Sequence, residues 1–195
     1  MTHVGIIGTG SMAQAISGIL SRGGASVQLV GRDGALDPAT DVVVLAVPYP
    51  AVADVIAQHG AALAGKVVVD LTNPVDFSTF DSLAVPADGS AAAVIAEALP
   101  ESHVLKAFNT TFAATLASGT VTGSTGSTEP TTVLIAGDDT TAKDTLAGLV
   151  EAGGLRAVDA GSLRRARELE SLGFLQLALA IGEKLPWTGG FAVVA

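Results

Sequence analysis

The chain has 195 residues, 49% of them hydrophobic, with no cysteine and a formal net charge of −9. The lack of cysteine excludes disulfides and thiolate metal sites, and the negative charge argues against a nucleic-acid or anionic-membrane partner. No apolar run reaches the roughly 18 residues that a membrane helix needs, and the three histidines (His3, His59 and His103) do not have metal-ligand spacing.

The first predicted element is a short buried strand over Val4–Ile7, which runs directly into a glycine-rich turn. The G-x-G-x-x-A pattern of Gly8, Gly10 and Ala13, followed by a helical pattern, is typical of a dinucleotide-binding βαβ unit. The free N–H groups and the dipole at the start of that helix would hold a diphosphate. The residues predicted to contact the cofactor here are Gly8, Thr9, Gly10, Ser11 and Met12.

A second strand is predicted over Ser26–Val30, with Gly31 and Arg32 directly after it. In NAD-binding units an acidic residue near this position accepts a hydrogen bond from the ribose 2′-hydroxyl, whereas a guanidinium suits a 2′-phosphate. The pattern therefore favours NADP, with Asp33 as the competing candidate for an NAD ribose. Only ten residues separate Val30 from Asp41, too few for the usual crossover helix, so that helix is predicted to be missing or reduced to a turn.

Strands and helices alternate along the rest of the chain, which indicates an α/β, Rossmann-type, doubly wound and mostly parallel sheet. The predicted strands are Val42–Val47, Lys66–Asp70, His103–Ala107, Thr132–Ala136 and Leu155–Val158, and the predicted helices are Ala51–Gln58, Ala91–Leu99 and Thr141–Glu151.

Ligands of such sheets bind beyond the carboxyl ends of the strands. Two asparagines, Asn73 and Asn109, are expected there. For each of them, the sequence does not distinguish a role in forming the turn from a contact with the ligand. The cofactor-binding residues predicted at this edge are Val47, Pro48, Tyr49 and Asn73, and the substrate-binding residues are Phe108, Asn109, Ala136 and Gly137. Ala136 and Gly137 are expected to leave room for two stacked rings.

Two further segments have a distinct composition. Residues 119–130 form a low-complexity stretch, interpreted as a surface loop, with a lid over the ligand as the alternative. Leu163–Leu185 is the longest predicted helix, with one face marked by Leu169, Leu172, Gln176 and Leu179. It is too apolar to lie half exposed, so it should pack on the sheet or on a second subunit, and a homodimer is predicted.

The start of this last helix is rich in charge. Three arginines lie beside two glutamates: Arg164, Arg165, Arg167, Glu168 and Glu170. A solvated charge cluster is the favoured interpretation, and a site for an anionic group of the second substrate is the alternative.

No acid–base constellation or metal cluster emerges from the sequence, so no catalytic side chain and no metal ligand is predicted. None of the histidines is expected at the ligand-binding edge with a proton to move. A partner that exchanges hydride with nicotinamide by ring stacking needs little more than alignment from the protein. A flavin or a deazaflavin is such a partner.

Six segments together resemble the coenzyme F420-dependent NADP oxidoreductase family. They are residues 8–13, 41–48, 65–74, 106–110, 136–139 and 159–170. The resemblance implies hydride transfer between NADP(H) and the deazaflavin coenzyme F420. It also implies that Thr9 and Arg32 meet the 2′-phosphate, and that the loops at Pro48, Asn73 and Ala136 line the stacked rings.

Two other functions stay open at this point. One is an NADPH-dependent imine or keto reductase, which the lack of an evident proton donor disfavours. The other is a non-catalytic NADP(H)-sensing module. For all three we expect a single NADP-binding domain over residues 1–195, with a short helical extension from about residue 162. Because a strand begins near residue 3, no signal peptide is expected and the predicted location is cytoplasmic.

Overall fold

The computed structural model describes residues 1–123 and 126–193. Its strands are β1 (His3–Ile7), β2 (Ser26–Val30), β3 (Val42–Leu45), β4 (Val67–Asp70), β5 (His103–Lys106), β6 (Thr120–Thr122), β7 (Thr128–Pro130), β8 (Thr132–Gly137) and β9 (Arg156–Gly161). Its helices are α1 (Ser11–Arg22), α2 (Val52–Leu63), α3 (Ala91–Ala98), α4 (Ala113–Ser118), α5 (Thr140–Ala152) and α6 (Ala166–Ile181). Among the described residues, no helix combines the length and the hydropathy that crossing a bilayer requires.

Seven strands form one sheet in the order β2-β1-β3-β4-β5-β8-β9. The first five pair in parallel, β8 and β9 are parallel to each other, and β5 and β8 pair antiparallel. The predicted Rossmann-type, mostly parallel sheet is thereby confirmed. The strand order reverses at β1, which lies between β2 and β3, and the crevice beyond this reversal is the usual ligand site of such sheets.

Helices cover both faces of the sheet. The central strand β3 shows this directly, because all four of its residues are fully buried. Val42 and Val44 pack in the cluster that includes Ile16 of α1, while Val43 and Leu45 pack in the cluster on the opposite face. A run of β-branched residues without polar alternation is what a strand buried on both faces requires.

The crossover from β2 to β3 contains no helix in residues 31–41, all of which the structure describes, as predicted. The side chain of Gln28 organises this segment by donating to the Ala35 carbonyl (3.1 Å) and accepting from the Asp37 N–H (3.0 Å). Leu36 fills the space beside Gly5, where an added Cβ would lie 2.5 Å from the leucine side chain. The Leu36 side chain thus packs against β1 in place of the missing helix.

Residues 119–130 differ from the predicted loop. β6 and β7 form an antiparallel hairpin there, with Thr120 opposite Pro130 and Thr122 opposite Thr128. The threonines and Val121 favour extended backbone, which the low complexity of the segment obscures. Positions 124 and 125 of the predicted loop lie outside the described residues.

The direction of β8 corrects the predicted position of Ala136 and Gly137. From β5 the chain passes through α4 and the hairpin without returning to the other edge, so β8 starts at the carboxyl edge and runs opposite to β5. Lys106 pairs with Ala136 and Leu105 with Gly137, and a Cβ on Gly137 would lie 2.2 Å from the Leu105 side chain. The loop after Gly137 therefore runs to the amino edge, where Asp139 contacts His103 at the start of β5 (2.9 Å), and the expectation that this loop lies at the carboxyl edge is wrong. Ala136 and Gly137 themselves are buried within the sheet.

The C-terminal helix is shorter than predicted. A 3-10 turn spans Leu163–Arg165, α6 ends at Ile181, and the chain continues as turns. Leu172 and Leu179, predicted on the packed face, are only partly buried. The residues buried on α6 are Ala166, Leu169, Glu170, Gly173, Gln176 and Ala180. Residues 194 and 195 of the predicted extension lie outside the described residues.

Candidate functional site

The turn after β1 has the geometry of a phosphate-binding turn. Gly8 has φ +128°, and a Cβ there would lie 2.2 Å from the Ala46 carbonyl oxygen, so only glycine fits. Gly10 caps α1 without any side-chain hydrogen bond, and a Cβ on it would meet nothing within 4 Å. The first N–H groups of α1 therefore face open space, as an anion-binding helix terminus requires.

One cavity, here called the Arg32 cavity, opens on one side of this turn and encloses about 450 Å³. Of the predicted cofactor residues it brings together Gly8, Thr9, Gly31 and Arg32, whereas Asp33 does not line it. Arg32 is exposed and forms no ion pair with another described residue. His59 is buried and also lines this cavity, contrary to the expectation that no histidine reaches this edge.

A second cavity, the Asn73 cavity, opens on the other side of the turn and encloses about 500 Å³. It contains eight of the predicted site residues: Ser11, Met12, Val47, Pro48, Tyr49, Asn73, Phe108 and Asn109. Its outer wall, which the sequence analysis missed, includes Phe112 and Trp187, whose ring centroids lie 4.9 Å apart. The two cavities share Val47 and Pro48, so they form adjoining parts of one crevice at the carboxyl end of β3.

Asn73 and Asn109 are hydrogen-bonded directly to each other in the wall of the Asn73 cavity. The Asn73 amide donates to the Asn109 carbonyl (2.9 Å), and the Asn109 amide donates to Asn73 Oδ1 (2.9 Å) and to the Leu169 carbonyl (2.8 Å). A Cβ on Gly173 would lie 2.5 Å from Asn73 Oδ1, so α6 approaches this pair through a glycine. The pair therefore joins the β4 and β5 loops to α6.

A fully buried ionic network lies next to this pair. Lys106 Nζ contacts Asp70 Oδ2 and Glu170 Oε1, each at 2.8 Å, and donates to the Thr72 carbonyl. The second oxygen of Glu170 accepts from the Ala91 N–H (2.9 Å) at the start of α3. These charges join β4, β5, α3 and α6 under the Asn73 cavity.

The network corrects one interpretation of the charged segment before α6. Glu170 is not part of a solvated cluster, because its side chain is fully buried. The arginines Arg164, Arg165 and Arg167 are exposed, as a solvated cluster requires, and none of them lines the Arg32 or Asn73 cavity. The alternative of an anion site on these arginines therefore has no support from the Arg32 or the Asn73 cavity, although Arg167 lines a separate cavity of about 280 Å³.

The Asn73 cavity is almost without titratable side chains. Among the described residues that line it, no Asp, Glu, His, Lys or Arg is present, and Tyr49 is the one titratable group. Burial raises the pKa of the Tyr49 phenol, and the negative charges of Glu170 and Asp70 raise it further. Tyr49 is therefore neutral at physiological pH, and the walls around it are mostly apolar.

Comparison with known proteins places this site in context. The model of the family "NADP oxidoreductase coenzyme F420-dependent" matches residues 30–74. The F420-dependent NADP reductase of Methanocaldococcus jannaschii is 31% identical over 178 residues, covering 88% of this chain and 76% of that protein. The rat metalloreductase STEAP3 is 32% identical over 185 residues, covering 87% of this chain and 36% of that protein.

A similar solved structure comes from Arthrobacter sp. FB24, a candidate F420-dependent NADP reductase. It superposes with a TM-score of 0.82 at 24% identity, and the match covers the whole of both chains. At that identity the likeness shows the fold.

Proposed function

Because the chain belongs to the coenzyme F420-dependent NADP oxidoreductase family, we propose that it transfers a hydride between NADP(H) and coenzyme F420. The observation that carries the proposal is the pair of adjoining cavities that meet at Val47 and Pro48. One cavity has a phosphate-binding glycine turn and an arginine that forms no ion pair with a described residue. The other is mostly apolar, has aromatic walls and has no charged side chain among its described lining residues, which suits stacked rings.

Each part of the crevice has a separate task in this proposal. The turn from Gly8 to Ser11 binds the diphosphate through backbone N–H groups. Thr9 and Arg32 bind the 2′-phosphate, where the guanidinium can make charge-assisted hydrogen bonds. The Asn73 cavity excludes water from the nicotinamide and deazaflavin rings and aligns them. Hydride passes between the two rings themselves, so the protein contributes alignment and no side-chain proton.

A keto or imine reductase is the second candidate, and the Tyr49 phenol is the observation in its favour. A carbonyl or imine acceptor needs a proton as well as a hydride, and Tyr49 lines the Asn73 cavity in its protonated form. A flavin in place of F420 is an alternative acceptor that needs no such donor.

The deciding experiment follows NADPH oxidation by absorbance with one acceptor at a time. The acceptors are coenzyme F420, riboflavin, FMN and FAD, followed by a panel of cyclic imines and small ketones. We expect turnover with F420. Turnover with imines or ketones alone would reverse the proposal, and NADPH binding without turnover of any acceptor would favour the sensing module.

We further propose that the protein acts as a homodimer. Leu175 and Ile181 of α6 are each 51% exposed, and Trp187 and Phe191 beyond the helix are also exposed. An interface along this face would cover these side chains next to the Asn73 cavity. A single NADP-binding domain over residues 1–195 and a cytoplasmic location stay predictions.

A further inference from the structure

Gln176 is a buried polar side chain without a protein partner. It lies on α6, only 1% of it is exposed, and neither its amide nitrogen nor its amide oxygen makes a hydrogen bond to a described residue. The side chain also lines the Asn73 cavity. Leaving a buried amide unpaired is costly, and native proteins rarely do so without a reason.

The unpaired groups are concentrated at this cavity. Five buried side-chain polar atoms lack a partner in the part of the chain that the structure describes. Four of them belong to residues that line the Asn73 cavity: Thr72 Oγ1, Asn109 Oδ1 and the two amide atoms of Gln176. A random packing defect would not gather donors and acceptors at one cavity. A molecule that displaces solvent from this cavity could complete these hydrogen bonds.

The chemistry of that molecule follows from the groups around it. A glutamine amide offers a donor and an acceptor side by side, which match a ligand edge with a carbonyl next to an N–H. Phe112 and Trp187 supply aromatic walls, and none of the described lining side chains is charged. A flat, uncharged ring with an amide edge fits these conditions.

We propose that Gln176 recognises the amide edge of the ring bound in the Asn73 cavity and so determines which ring is accepted. This inference rests on the proposed function, in which two rings offer such an edge. The nicotinamide carries a carboxamide, and the pyrimidine part of the deazaflavin carries carbonyl and N–H groups in its ring.

The test replaces Gln176 with leucine, which has similar size and no polar atom. Removing an unpaired buried amide should raise the midpoint of thermal unfolding of the ligand-free protein, by roughly 2–4 °C. The same change should weaken binding of the recognised ring about tenfold or more. A merely structural role predicts a fall in both quantities. The matched control is Gln14→Leu, the same change at an exposed position of α1 outside both cavities, which should leave affinity unchanged.

Calorimetric titrations identify the ring. If the carboxamide is recognised, Gln176→Leu weakens NADP⁺ binding more than binding of its 3-acetylpyridine analogue, in which a methyl ketone keeps the carbonyl oxygen but lacks the amide N–H. If the deazaflavin is recognised, the variant weakens F420 binding and spares NADP⁺. Affinities within twofold of the wild type for both ligands would overturn the inference. If Gln176→Leu fails to fold, the flexible Gln176→Met variant is measured instead.

The outcome for the wild type separates this inference from the proposed function. A wild-type protein that binds NADP⁺ with the predicted dependence on Gln176, yet transfers no hydride to F420, would refute the proposed function and support the inference. Active wild type with an unaffected Gln176→Leu variant would do the reverse. Failure of the wild type to bind either ligand would overturn both.

Discussion

Arg32 is an exposed cation at the mouth of the Arg32 cavity, and no described carboxylate pairs with it. A charge-assisted hydrogen bond to phosphate contributes roughly 1.5–3 kcal/mol. Arg32→Ala should therefore weaken NADPH binding roughly 10–100-fold and leave NADH binding nearly unchanged, as measured by calorimetry.

The control for this prediction is Arg164→Ala, which removes an exposed arginine that lines neither cavity. It should change neither affinity by more than about twofold, because a distant surface charge is screened by salt. Equal losses of affinity for NADPH and NADH in Arg32→Ala would show that Arg32 does not bind the 2′-phosphate.

The two candidate reactions differ in whether they need the Tyr49 hydroxyl group as a proton donor. Its raised pKa keeps the phenol protonated through the neutral range, so it can donate a proton but supplies none to a ring-to-ring hydride transfer. Tyr49→Phe should retain F420-dependent turnover within about threefold, measured by steady-state kinetics from pH 6 to 9. Loss of turnover in a folded variant would instead favour keto or imine reduction as the function.

Single residues were predicted best where local chemistry dictates them. Gly8 could be identified because a turn with positive φ imposes a residue type next to a strand end, whereas the role of Arg32 at a phosphate stays a prediction. Gln176 could not be assigned a function in this way, because the role of a buried amide depends on which groups the fold places around it. A lone amide among the leucines and alanines of α6 is the one sequence signal that it offers.

At the scale of elements, hydrophobic runs located the strands but not their directions. The residues of β8 are as apolar as those of a parallel strand, and its antiparallel entry depends on the path of α4 and the β6–β7 hairpin. Glu170 was misplaced for a related reason. Its neighbours are exposed charges, while its partners, Lys106 and the N–H groups of Ala91 and Ala92, are far away in the sequence.

The ionic network under the Asn73 cavity joins β4, β5, α3 and α6, and its cation is the Lys106 ammonium group. Lys106→Met would leave Asp70 and Glu170 as buried carboxylates without a cation, so we expect a loss of about 3–5 kcal/mol in the free energy of unfolding. Urea denaturation measures this loss. Lys143→Met is the matched control, because its partner Asp159 is exposed and the pair should contribute at most about 1 kcal/mol. Similar losses in both variants would contradict the assignment.

The same network predicts a dependence on pH. Burial raises the pKa of Glu170, and Lys106 opposes that rise, so Lys106→Met should raise the pKa further. A carboxyl with a raised folded-state pKa causes no penalty below its unfolded pKa, near 4.3, and an increasing one as pH rises from there to the folded value. The stability deficit of Lys106→Met should thus be small at pH 4 and large at pH 7. A deficit independent of pH would contradict this prediction.

At the scale of the whole molecule, the proposed homodimer depends on the apolar side chains that α6 exposes. Light scattering at micromolar concentration should give twice the mass of the chain, and Leu175→Glu should reduce it to the monomer by burying a charge in the interface. Glu97→Gln, an exposed change on α3, should leave the dimer intact. A wild-type monomer, with and without NADPH, would contradict the proposal.

The position of Glu170 also affects how the protein is made. During translation, β4, β5 and the start of α3 leave the ribosome well before α6 does. Lys106 is therefore present in the nascent chain before Glu170, its second carboxylate partner, has been synthesised. The free N–H groups of Ala91 and Ala92 must likewise wait for Glu170 to accept from them. The glycine turn needs residues no further along the chain than Ala46, whereas the part of the network at α3 forms only after residue 170 has been synthesised. Nascent chains arrested before that point should therefore be susceptible to proteolysis around α3.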